Sequence, residues 1–459
     1  MLSISLAAQR SKLLIILIFL SSCKKFLSIP PPQTQAQTQQ IFENDQAAVS
    51  ALTGLYNQML TSNLWITNGG LTVYTGLSAD ELINTSADAN ADGFAKNTLL
   101  PGNTVLSSNF WIPAYRVIYH ANAILQGIES SGAKLTASVS NQVKGEALLV
   151  RALQYFYLAN LFGDIPLLIS PDYRVNSSSP RTPSDEIYQQ IIDDLIASKE
   201  LLKEDYPTTG KLRPNKYAAL TLLARVYLFQ QQWANAETAA TEIIDAGSYE
   251  LVTDPDQSFQ PNSAESIWQL VIDNANTAEG NAFIPVLFFL KPNYAVTQHL
   301  LDAFETTDAR KTKWLKLSTA GGQNNYYPFK YKMRSTSQPY EYYTVFRLAE
   351  LFLIRAEARA QQDKLDDAKD DLNTIRNRAG LNDTAAGDKQ TLLDAIMHER
   401  RTELFAEWGH RWLDLKRTNK ANAVLQPIKG SNWQPTDILY PIPQQEINAN
   451  TSLTQNPGY

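Results

Sequence analysis

The stretch from Leu392 to Arg417 constrains this chain more than any other. Leu393, Ile396, Leu404, Trp408, Trp412 and Leu415 recur every three or four residues along it, the spacing of a helix that presses one face into a core. Gly409 is the only residue in the stretch that disfavours a helix, so the spacing predicts one continuous element. Beside the apolar row runs a charged one of Arg400, Glu403, Glu407, Arg411, Asp414 and Arg417, in which opposite signs can pair along the helix. Charges next to Trp408 and Trp412 are expected to be partly buried. Burial is tolerable only for paired charges, so the helix is expected to lie under other elements.

Glu403 and Glu407, one turn apart, invite comparison with a retaining glycosidase pair, whose carboxyl groups sit about 5 Å apart. Arg400 and Arg411 flank them and are expected to lower both pKa values, whereas a general acid needs a raised one. A structural ladder is the expectation. The remaining enzyme signatures are missing: there is no His-Glu-x-x-His, no Gly-x-Ser-x-Gly and no phosphate-binding Walker loop. Of the four histidines, His398 and His410 lie in the ladder and His120 and His299 are isolated from each other in sequence. A glycoside hydrolase with acids from distant segments would leave no local spacing, and stays as the enzyme alternative.

The N-terminus reads as an export signal. Arg10 and Lys12 precede the apolar run Leu13 to Leu20, which is too short to span a bilayer, and Ser21, Ser22 and Cys23 follow. The order Leu20, Ser21, Ser22, Cys23 resembles a bacterial lipoprotein processing box, so residues 1–22 are expected to be removed and Cys23 to carry lipid. Cys23 is the single cysteine, which excludes an internal disulfide. With no other long apolar segment, acyl chains are the expected membrane attachment. Residues 23–40, with Pro30, Pro31, Pro32 and a Gln/Thr mixture, read as a tether. A formal charge of −6 without a long basic run argues against nucleic acid as a partner.

From residue 41 to 459 the pattern is mostly helical and predicts a single α domain. Helical spacing covers Asn44 to Leu60, Phe110 to Gly127, Asn141 to Gly163 and Asp185 to Glu204. Two helix pairs follow, Pro214 to Gln231 with Trp233 to Ala246, and Phe346 to Gln362 with Leu365 to Arg378. Aligning the pairs sets Ala224 against Ala356, Trp233 against Leu365 and Ala236 against Ala368, a degenerate tetratricopeptide-like repeat whose alanines let helices approach closely.

Two irregular regions interrupt this scaffold, about 63–109 and 248–343, rich in Gly, Asn, Ser, Thr and Pro; such long loops are usually functional. In the first, Asp88, Asn90, Asp92 and Gly93 match half a calcium loop, but Leu99 stands where the bidentate Glu belongs. The expectation is a solvated loop, with calcium the alternative and no other cofactor. The tail from Tyr440 is expected along the surface.

Five stretches together resemble the SusD/RagB family of outer-membrane lipoproteins: KGEALLVRALQYFYLANLFGDIPL at Lys144 to Leu167, FRLAELFLIRAEA at Phe346 to Ala358, LNTIRNRAGL at Leu372 to Leu381, ERRTELFAEWGHRWLDLKR at Glu399 to Arg417, and PIPQQEINANTSLTQNPGY at Pro441 to Tyr459. The resemblance implies four tetratricopeptide-like helix pairs as scaffold, with irregular excursions supplying a ligand surface. It further implies a Bacteroidota cell-surface protein, lipid-anchored in the outer membrane, that caps a SusC-like TonB-dependent transporter and captures oligosaccharide or other nutrients. One departure is that Lys24 and Lys25 follow Cys23, where family members often carry acids.

No shared motif marks the sugar contacts, so candidates come from chemistry. Flat aromatic faces cover sugar C–H surfaces and amides meet hydroxyls, which selects Trp65, Tyr74, Phe94 and Asn97 from the first region and Tyr294, Trp314, Tyr326 and Tyr327 from the second. Trp111, Trp233, Trp268, Trp408 and Trp412 read as packing, and Trp433 as either. The expected role is a non-catalytic binder of glycan; a peptide binder and a bare lid on the transporter are the competing readings.

Overall fold

The structure, a computed structural model, describes residues 42–272, 275–334 and 340–459. The signal segment, Cys23 and the tether lie outside the described residues. In chain order the main helices are α1 (Asp45–Leu60), α2 (Ala89–Lys96), α3 (Ile112–Ser131), α4 (Ala137–Phe162), α5 (Ser184–Leu201), α6 (Lys216–Phe229), α7 (Trp233–Asp245), α8 (Leu348–Gln361), α9 (Leu365–Arg378), α10 (Lys389–Glu403), α11 (His410–Arg417) and α12 (Ala421–Lys429). Among the described residues six short strands form three separate antiparallel ribbons, β1 (Leu82–Asn84) with β3 (Tyr294–Val296), β2 (Ser266–Leu270) with β6 (Tyr343–Arg347), and β4 (Leu315–Ser318) with β5 (Asn325–Pro328).

The fold is mostly α, with helix pairs stacked side by side in the tetratricopeptide manner. Helix α4 is the axis of the first half: buried on nearly every side, it packs against α1, α3, α5 and α6. The pairs α6/α7 and α8/α9 follow, and α7 lies against α8. Ala224, Ala236, Ala356 and Ala368, the aligned small residues, are all fully buried where these helices close on each other. Arg225 on α6 staples the two halves: its guanidinium holds both oxygens of Glu350 on α8 at 2.6 Å and donates to the Tyr157 hydroxyl of α4 at 2.9 Å.

The predicted continuous helix from Leu392 to Arg417 is in fact two helices. Helix α10 ends at Glu403, and Ala406, Trp408 and Gly409 take positive φ values of 49°, 46° and 75° before α11 begins. The cause is tertiary. Trp408 is turned out of helical register so that its ring stacks between Tyr157 and Tyr343, at 5.7 and 4.9 Å between centroids. Its backbone N–H donates to Thr72 Oγ1 and its indole N–H to the Thr344 carbonyl. Gly409 passes so close to Thr75 that a Cβ would lie 2.5 Å from the threonine oxygen.

The charged row is buried, as expected, but most of its partners come from elsewhere. Only Arg400 and Arg417 pair within it, both to Asp414. Arg310 holds Asp308, Glu399 and Glu403 at 2.8, 2.6 and 2.9 Å. Arg347 reaches Glu265 at 3.2 Å, Glu407 at 2.8 Å and also Glu403. Arg378 bridges Glu265 and Glu403, and Lys330 pairs with Glu407. Arg411 turns away to Asp80.

One further expectation is corrected and another refined. Region 63–109 is not an open loop: it contains α2, β1 and π-helical turns at Leu71–Thr75 and Leu106–Trp111, the first buried throughout. The C-terminal tail runs mostly on the surface, as expected, but is anchored in the interior at several points. Tyr440 and Ile442 enter the core, and the Asn456 amide donates to the carbonyls of Phe162 and Tyr440, pinning the chain end to α4.

Removing one member of a fully buried ion cluster strands its partners, at a cost of about 3–5 kcal/mol. Arg310→Ala leaves three carboxylates short of a cation, so denaturant unfolding should show a loss of that size, whereas Lys134→Ala, which breaks an exposed pair with Glu43, should change stability by less than about 0.5 kcal/mol.

Candidate functional site

The ribbons β1/β3 and β4/β5 lie side by side through β3 and β5 and share one face of the molecule. β3 is buried throughout, and the exposed positions come from β1 and β4. Leu82 and Val296, paired across the first ribbon, point into the core while Ile83 is exposed. In the second ribbon Leu317 stands opposite Tyr326; Leu317 is exposed and Tyr326 half-buried, and the next residue, Tyr327, turns inward.

Between the 278–283 helix and β3 the chain runs out as a short apolar tip, Val286, Leu287, Phe288, Phe289 and Leu290, bracketed by Pro285 and Pro292. All five side chains are exposed, Phe288 by 91 %, with the two phenyl rings edge to face at 5.4 Å. The base of the tip is fastened to both ribbons: Thr85 beyond β1 donates its hydroxyl to the Pro292 carbonyl and its N–H to that of Asn293, and Ser318 of β4 donates to the Leu290 carbonyl. Five adjacent apolar side chains in water forgo about 1.5–3 kcal/mol of burial each, a loss that a monomer rarely carries without a partner for the surface. Within residues 285–292 the only ionisable side chain is Lys291.

The structure separates the candidate aromatics into two groups. Tyr74 and Phe94 pack together at 4.8 Å with Phe110 and Tyr440 in the core. Asn97 is buried in the left-handed position that ends α2. Tyr294 and Tyr327 are buried in their ribbons. Trp314 is fully buried, its indole N–H donating to the Pro255 carbonyl and the Lys330 ammonium 4.3 Å from its ring. All six side chains are buried in this structure. Trp65, half-buried under the Arg116 guanidinium at 5.5 Å, and Tyr326 remain within reach of a ligand. Trp433 is buried, edge to face with Trp412. Phe288 and Phe289, which are not among the candidates, are the most exposed aromatics of this tip; a Phe-Phe pair between two prolines, with neither helical nor strand alternation around it, marks a protruding turn.

The side chains of the half calcium loop have local partners. Asp88 caps α2 by accepting from the N–H of Asn90, and Asp92 accepts from Asn84 at 2.8 Å and pairs with Lys96 at 2.9 Å. Asn90 lies in the first turn of that helix. The Lys96 ammonium and the Asn84 amide together hold the Asp92 carboxyl below its ordinary value. Among the described residues no group of three or more His, Cys, Asp and Glu is placed to hold a metal ion.

The carboxylates of the buried cluster are held by cations. Burial alone would raise Glu403, but Arg378, Arg347 and Arg310 outweigh it and hold the carboxyl well below the usual range; burial of Glu407 is outweighed in the same way by Arg347 and Lys330. The direction agrees with the sequence reading, but the cations responsible are not Arg400 and Arg411. Glu81 and Glu279 behave oppositely: burial, with Asp80 adding to it, pushes Glu81 up to about 8, and burial pushes Glu279 up to about 7. Both lie in the interior. Trp314→Ala should therefore lower stability by about 3–5 kcal/mol in denaturant unfolding, the cost of emptying a large buried aromatic site, while Phe288→Ala should leave it within about 0.5 kcal/mol.

Comparison with known proteins follows the same lines as the geometry. The profile of the SusD family matches residues 320–459, and one described as "Starch-binding associating with outer membrane" matches residues 25–228. SusD-like protein P25 of Formosa agariphila is 25 % identical over 525 aligned positions, which take in 95 % of this chain and 97 % of that one. Among solved structures, a SusD superfamily protein from Bacteroides vulgatus superposes with a TM-score of 0.80 at 23 % identity, over 90 % of this chain and 99 % of that one. A laminarin binding SusD-like protein superposes with a TM-score of 0.78 at 25 % identity, over 91 % of this chain and the whole of the other. Two profiles of one kind that between them span most of the chain, and relatives matched along nearly their full length, show that this chain belongs to the SusD family.

Proposed function

We propose that this protein is a lipid-anchored, surface-exposed binder of oligosaccharide at the outer membrane, which passes its ligand to a TonB-dependent transporter without cutting it. The observation that carries the glycan part is the full-length likeness to a laminarin binding SusD-like protein, together with the starch-binding description of the profile that matches the N-terminal half. Two physical features support it. Tyr326 and Trp65 offer aromatic surface within reach of solvent, on short elements fixed by cross-strand pairing or by stacking under Arg116. The Phe288 tip is the kind of exposed apolar surface that a protein partner covers, and the transporter is that partner in this reading. A binder that releases its ligand intact is consistent with Glu403 and Glu407, each of which is engaged by two or more cations. Membrane attachment is assigned to lipid on Cys23, and no described helix is long and apolar enough to cross a bilayer.

Affinity electrophoresis of the soluble chain should show retardation in gels containing laminarin or starch, with no new reducing ends after incubation; released fragments, or retention by peptide alone, would overturn the reading. In cell fractionation, Cys23→Ser should release a folded protein from the membrane fraction, whereas Phe288→Ser with Phe289→Ser should leave it there but cut recovery of the transporter at least tenfold. Persistence of Cys23→Ser in the membrane removes the lipid assignment, and undiminished transporter removes the docking role of the tip.

A further inference from the structure

We propose that the helical scaffold carries a second sugar site, remote in sequence from the ribbon face, in a groove of about 320 Å³ where α3, α4 and α5 meet the segment after α4. The inference rests on the glycan-binding reading above and adds a location and a ligand chemistry to it.

The groove is written in helical spacing. Asn122, Gln126 and Glu129 line it from α3 at intervals of four and three, and Lys144, Leu148 and Arg151 from α4 at the same intervals, so two helix faces form its walls. The floor is rigid. Arg151 holds both oxygens of Asp194 on α5, at 2.7 and 2.6 Å, and donates to the Asn122 side chain at 2.7 Å. Gln190, which also lines the groove, donates to the same aspartate at 2.8 Å. Above the floor Gln126, Glu129 and Lys144 line the groove with polar ends that make no hydrogen bond or ion pair among the described residues.

The rim supplies the other half of a sugar site. Ile169 and Pro171 line the opening, and two residues on Tyr173 stands 76 % exposed at the start of a short helical turn. This segment is fastened before any ligand arrives. Tyr155 and Asn122 both donate to the Leu168 carbonyl, Asn176 donates back to that of Ser170, and Asp172 caps the turn. A fixed aliphatic rim, with the exposed Tyr173 ring two residues beyond it, over a polar lining whose Gln126, Glu129 and Lys144 ends are unengaged suits a ring with apolar C–H faces and hydroxyl edges, at a small ordering cost. Charge argues for a neutral ring: Arg151 is balanced by Asp194, and Lys144 by Glu129 within the same lining. The volume is at the lower end of small-molecule sites and takes one or two rings.

Isothermal titration of the full-length protein with laminaritriose, and separately with maltotriose, tests this, alongside Tyr173→Ala and Gln126→Trp, two changes at exposed positions that should leave the melting temperature unaltered. Two sugars per chain, falling to one in both variants, is the expected result. One sugar per chain, with affinity at least tenfold weaker in both variants, supports the groove as the principal site. Binding that neither variant alters overturns the groove and leaves the glycan reading intact, and no binding of either sugar by the unaltered protein overturns both.

Discussion

The fold turns on the cluster of buried charge around Glu403. Carboxylates from α10, from the turn after it and from the approach to β2 meet guanidinium groups from α9, β6 and the segment before β4, with almost no water-facing surface among them. Such a cluster contributes little net stability compared with an apolar core of equal volume, because desolvation offsets most of the attraction. Its effect is on specificity. Each carboxylate needs its own cations at hydrogen-bond distance, so the helix stack and the ribbons can dock in few ways other than this one. The apolar tip and the two ribbons that fasten it inherit their position from that docking.

Much of the scaffold was legible because its periodicity is local. Helix pairs announce themselves through buried alanines and leucines at intervals of three and four, and Ala224, Ala236, Ala356 and Ala368 sit where the alignment of repeats put them. The break between α10 and α11 was not legible. It depends on Thr72, Thr75, Tyr157 and Tyr343, which stand some 60 to 340 positions away in the chain and decide where Trp408 must go. The charged row carried the right message about burial and the wrong one about partners, since i to i+4 neighbours are visible in a sequence and Arg310, Arg347 and Arg378 are not.

The ribbon face was the least legible part, for a related reason. Asn, Ser and Thr around Tyr74 and Phe94 suggested a solvated loop, yet their side chains are spent on local backbone: Asn68 on Leu60 and Ser62, Thr67 on Met59, Asn109 on Leu64. A polar segment that satisfies its own hydrogen bonds can be buried, and its aromatics go with it. Trp314 and Tyr327 follow the same rule in the second region. What the face does expose, Phe288 and Phe289, came from the stretch with the least polar composition, where no periodicity drew attention to it.

Pro285 and Pro292 at the two ends of that stretch have a bearing on solubility. A run of Val, Leu, Phe, Phe and Leu left open to water would ordinarily be a seed for cross-β stacking, since any extended neighbour can zip onto its amides. Proline has no N–H to offer and holds its own φ near −65°, so the run cannot be lengthened into a strand from either side, and Lys291 sets a repelling charge beside it. The surface can therefore meet a partner shaped to receive its side chains and is a poor template for another copy of itself, which lets the protein keep grease on display without precipitating.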